Sequence, residues 1–83
     1  MYTPAALFDG AVKKLTDEKG DLVVTTFFED AEALAIDGDR LIVKVPSPLI
    51  RDTLEQRFSG EVSDIISELA GRRMRAEFLS DPA

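Results

Sequence analysis

Apolar residues recur along this chain with two different periods, and the switches between them divide it into seven short elements. Leu7, Phe8, Ala11, Val12 and Leu15 fall at helical spacing, so the pattern predicts a first helix. Thr3 is suited to cap it and Pro4 to open it, because the N–H that proline lacks has no partner in a first turn. Lys19-Gly20 closes this helix. Residues 21–29 read two ways. Val23, Val24, Thr25, Thr26, Phe27 and Phe28 favour a strand by propensity, whereas Val24, Phe27 and Phe28 also fit one helical face with Asp21 as a cap.

Ala31 to Ile36 and Arg40 to Val45 flank Asp37-Gly38-Asp39, the signature of a hairpin. In its second strand Leu41, Val43 and Val45 share one face, and Ile42 and Lys44 the other. Pro46 stops the strand, Ser47 is placed to cap a helix and Pro48 to begin it. The buried stripe of that helix is expected to run from Leu49 or Ile50 through Leu54 to Phe58, with Ser59-Gly60 as a break. A last helix is predicted over residues 61–70, where Val62, Ile65, Ile66 and Leu69 line one face. Ser59 would cap it, Glu61 would suit its positive end, and Gly71 would stop it. From Arg73 to Leu79 the chain alternates, with Met74, Ala76 and Phe78 on one side, as in a half-buried strand.

With residues 21–29 taken as a helix, the order is α-α-β-β-α-α-β. It implies an α+β domain of two layers, a three-stranded sheet with helices packed on one face. The domain spans residues 1–79, and Ser80 to Ala83 reads as the start of a polar linker or tail.

Composition narrows the function more than the fold. Eighty-three residues make one small domain, and 45 % hydrophobic with 31 % charged residues is globular rather than disordered. The chain has neither Cys nor His, which removes disulfides, thiolate metal sites and the usual general base. An enzyme is therefore not expected. Asp37-Gly38-Asp39 lacks the later ligands of a calcium loop, and a hairpin turn accounts for it. No apolar run approaches a membrane span and no signal peptide is visible, so a cytoplasmic protein without membrane contact is expected. A net charge of −6 opposes dedicated nucleic-acid binding. Arg72, Arg73 and Arg75 form one basic cluster, and Lys13, Lys14 and Lys19 a looser one.

Several strings together resemble the N-terminal domain of the bacterial replication initiator DnaA. They are Val45-Pro46-Ser47-Pro48-Leu49-Ile50-Arg51-Asp52-Thr53-Leu54-Glu55-Gln56-Arg57-Phe58, then Glu68-Leu69-Ala70-Gly71, the hairpin Leu34 to Leu41, Thr26-Phe27-Phe28, and Leu7-Phe8. The resemblance runs without gaps over about residues 5 to 79 and implies a helix for residues 21–29 and a fold akin to the type II KH domain. It departs from the family at Ser47 (usually Asn), Leu49 (usually aromatic), and Phe8 and Phe27 (usually Trp).

The resemblance also implies a function: recruitment of the replicative helicase, binding of initiation regulators, and self-association as a weak homodimer. Leu7 and Phe8 would serve self-association; adjacent helical residues point about 100° apart, so one of the two can leave the core stripe. Val23, Thr26, Phe27, Ser47, Leu49 and Ile50 would meet partners, with Val23 where some members carry an acidic helicase contact. The arginine cluster would support weak binding of single-stranded DNA. The alternative is a KH-like single-stranded nucleic-acid-binding module, but no two of the five glycines are three apart, so the Gly-x-x-Gly backbone clamp is absent. No cofactor is expected in this domain, which has no Gly-rich phosphate loop carrying Lys and Ser or Thr.

Overall fold

The computed structural model describes residues 3–80, with Val23 described by its backbone alone. The elements are α1 (Pro4–Lys19), α2 (Asp21–Phe28), β1 (Glu32–Asp37), β2 (Arg40–Val45), α3 (Pro48–Thr53), a π-helical turn (Leu54–Phe58), α4 (Ser59–Ala70) and β3 (Arg75–Ser80). The sheet order is β1-β2-β3, antiparallel in the hairpin and parallel between β2 and β3. A parallel neighbour requires a long crossover, here the run from α3 to α4. The expected α+β class, element order and one-sided helix layer are all present.

Leu41, Val43 and Val45 of β2 are fully buried beneath the helices, together with Phe78 of β3. The opposite face, with Arg40, Ile42 and Lys44 beside Arg75, Glu77 and Leu79, carries no helix among the described residues. Arg40 bridges Asp37 (2.7 Å) and Glu77 (3.3 Å) across it. A bulge between Ala33 and Ala35 leaves Leu34 outside the ladder and exposed.

The Thr3 hydroxyl oxygen accepts from the Ala6 N–H at 3.1 Å, and Pro4 follows, as the capping pattern predicts. Gly10 lies inside α1 because α4 passes close by: a Cβ there would stand 3.0 Å from the Leu69 Cδ1. That approach is bought with the roughly 1 kcal/mol by which Gly disfavours a helix relative to Ala. Gly71, at φ 72°, ends α4 in the left-handed region. Four phenylalanines then join three elements. Phe28 of α2 meets Phe8 of α1 at 6.1 Å between centroids and Phe58 of the π turn at 5.9 Å, and Phe58 also meets Phe27 at 5.6 Å.

Four expectations require correction. Ser59-Gly60 does not break the chain of helices. Leu54–Phe58 forms a π turn that runs directly into α4, and no Ser59 side chain caps it. The wider turn lets Leu54 and Phe58 both face the core, as Val62 does one turn later. Asp21 is the first residue of α2 rather than its cap, and Gly20 takes the cap position with no side-chain bond. Ser80 belongs to β3, paired with Val45, rather than to a tail, and residues 81–83 lie outside the described residues. Finally, Leu7 (1 % exposed) and Phe8 (6 %) are both in the core. Helix α1 packs on α2, α4 and β1 together, so its buried arc is wide enough to take two adjacent residues.

Candidate functional site

Among the described residues, the two most exposed large apolar side chains lie on α2 and α3: Leu22 at 81 % and Leu49 at 76 %. Helix α2 takes its place as the second arm of a helical hairpin around Gly20, with Val24 and Phe28 turned inward. That leaves Leu22 and Thr26, one turn apart, on its outer side. The Thr26 hydroxyl donates to the Leu22 carbonyl (2.7 Å), so it satisfies its own helix.

Helix α3 begins at Ser47, whose hydroxyl oxygen accepts from the Ile50 N–H (3.2 Å), with Pro48 next. This is the cap the sequence predicts. Ile50 packs against the core while Leu49, one residue earlier, points out. Between Phe27 of α2 and Leu49 lies a surface hollow of about 540 Å³, whose remaining lining is Asp52, Thr53, Gln56 and Arg57. Phe27 is half-buried, its ring held by Phe58.

Of the expected partner-binding residues, the structure brings Phe27 and Leu49 together in this hollow. Thr26 is exposed nearby on α2, Ser47 serves as a helix cap, and Ile50 serves the core. Val23 lies on α2, and its side chain is outside what is described. Sequence reasoning did not single out Leu22, Gln56 or Arg57. An exposed leucine carries no signal in a single sequence, because much of any protein surface is apolar.

No family model matches the chain. Among curated proteins, 88 % of the chain is similar to the chromosomal replication initiator protein DnaA of Gloeobacter violaceus, with 26 % identity over 73 residues. The chain is similar to one region of a replication initiator. It spans only 16 % of that protein's length.

The arginine cluster divides. Arg72 donates to the Gly38 carbonyl (2.9 Å) and ties the end of α4 to the hairpin turn. Arg73 and Arg75 are exposed and line a second hollow, of about 390 Å³, with Asp39, Asp64 and Met74. Lys14 and Lys19 are engaged with Glu68 and Glu61, each at 3.0 Å, and clamp α1 to α4. Among the described residues no helix is long and apolar enough to cross a membrane.

Proposed function

We propose that this chain is a non-catalytic docking domain of a replication initiator, corresponding to the initiator's N-terminal region. On this reading it takes up the replicative helicase and initiation regulators through the Phe27–Leu49 hollow. The observation that carries the proposal is the exposure of Leu49 beside a half-buried aromatic ring, in a chain similar to DnaA along most of its length. Small apolar hollows with an aromatic wall are where interface energy concentrates. Self-association, if it belongs to this domain, uses surfaces other than the enclosed side chains of Leu7 and Phe8.

The test is direct binding of the purified replicative helicase to the wild-type chain and to Leu49→Ser, by surface plasmon resonance. Leu49 is so exposed that its replacement should move stability by no more than about 0.5 kcal/mol. Helicase affinity should nevertheless fall about ten-fold or more. Equal affinities would refute the assignment.

A second reading, weak binding of single-stranded DNA, draws on Arg73 and Arg75, whose side chains make no hydrogen bond or ion pair with the described residues. A labelled oligonucleotide titrated at low salt should then bind weakly. The affinity should fall steeply as salt rises, and the double variant Arg73→Glu/Arg75→Glu should abolish it. No binding at low salt removes this reading.

A further inference from the structure

The Phe27–Leu49 hollow has a chemical polarity of its own, set by which of its polar groups are already engaged. The Thr53 hydroxyl donates to the Leu49 carbonyl at 2.9 Å. The Asp52 carboxylate accepts from Arg51 at 3.1 and 3.3 Å. That leaves Gln56 and Arg57 as the groups with unused donors. The Arg57 side chain is exposed and makes no hydrogen bond or ion pair with the described residues, although acidic side chains outnumber basic ones by 16 to 10 in the chain. Arg40, Arg51, Lys14 and Lys19, by contrast, are each taken up by a carboxylate. The free guanidinium therefore lines the same hollow as the apolar side chains of Phe27 and Leu49.

We infer that this hollow recognises a partner segment presenting an apolar side chain beside a side-chain carboxylate, and that Arg57 is the residue that selects for it. The inference rests on the docking reading above and adds the chemistry of the occupant. A guanidinium offers a planar pair of donors that matches a carboxylate, and seating an apolar side chain against Phe27 and Leu49 withdraws water from the same hollow. One free cation beside two apolar side chains, with the Asp52 carboxylate already engaged by Arg51, suits an amphipathic segment. A phosphate chain would need several cations, and the net charge of −6 opposes it. Most of the surface attracts basic segments, so a single arginine at the contact point reverses the preference locally and repels a lysine placed there.

The probes are three synthetic amphipathic peptides with one leucine pair, flanked by Glu, Gln or Lys, and the readout is fluorescence anisotropy at low salt. The wild-type chain should bind the Glu peptide roughly five-fold more tightly than the Gln peptide, and the Lys peptide least, in keeping with a partly exposed ion pair. Arg57→Glu should invert that order, and Arg57→Lys should retain it with a smaller spread. Circular dichroism confirms that each variant is folded. Suppose Leu49→Ser weakens all three peptides while Arg57→Glu alters none: the docking surface stands and the selectivity for carboxylates falls. If no peptide binds, or if Leu49→Ser changes nothing, both fall together.

Discussion

Replacing Phe28 with alanine should cost about 3–5 kcal/mol of stability, the usual penalty for emptying a buried aromatic site. A chain of this length holds only about 4–12 kcal/mol in total. Phe28 is 5 % exposed and its ring meets Phe8 on one side and Phe58 on the other, so one side chain couples α1, α2 and the π turn. Urea denaturation of Phe28→Ala should show a midpoint far below wild type, or no cooperative transition at all. Phe28→Leu, which keeps most of the volume, should lose much less. A loss below about 1 kcal/mol in the alanine variant would mean that the three rings do not form the joint described here.

The second large effect is expected at a polar residue. The Ser67 hydroxyl oxygen accepts from the Met74 N–H at 2.8 Å and lies 2.7 Å from the Ser63 carbonyl and 2.8 Å from that of Met74, either of which can take its proton. One turn earlier, the Ser63 hydroxyl oxygen accepts from the Ala76 N–H at 3.0 Å. These two serines fasten the entry of β3 to α4. Ser67→Ala strands the Met74 N–H and should cost about 1–3 kcal/mol. That corresponds to a fall in melting temperature of roughly 5–20 °C in a domain of this size. Ser59→Ala is the control: its side chain caps nothing, so its melting point should match wild type. Similar melting points for the two variants would contradict the stitching role given to Ser67.

Strong patterns in the sequence were those made by burial on one face. The alternation from Arg40 to Val45 and the stripe through Val62, Ile65 and Ile66 survive in the structure because each element has one wet and one dry side. Helix α2 was not legible from its residues alone. Val23 to Phe28 carry strand propensity, and what makes them helical is tertiary packing of Val24 and Phe28 against α1 and the π turn. Ser59-Gly60 looked like punctuation, yet Gly60 is exposed and its intrinsic cost is small beside the burial of Leu54, Phe58 and Val62 on either side. The candidate surface was half visible. Phe27 and Leu49 could be named from the family resemblance, but Leu22 and Arg57 could not, because exposure and freedom from ion pairing are properties of the folded surface.

The π turn has a consequence for how the candidate surface is kept in place. Such a turn houses one residue more than an α-helical turn does, and each residue advances an α-helix by about 100°. The segment bearing Leu49 and Thr53 is therefore phased independently of the one bearing Val62 and Ile66. A version of the chain shortened by one residue within 54–58 could still lay α4 on the sheet. It would swing Leu49 by about a quarter turn around the helix axis, away from Phe27.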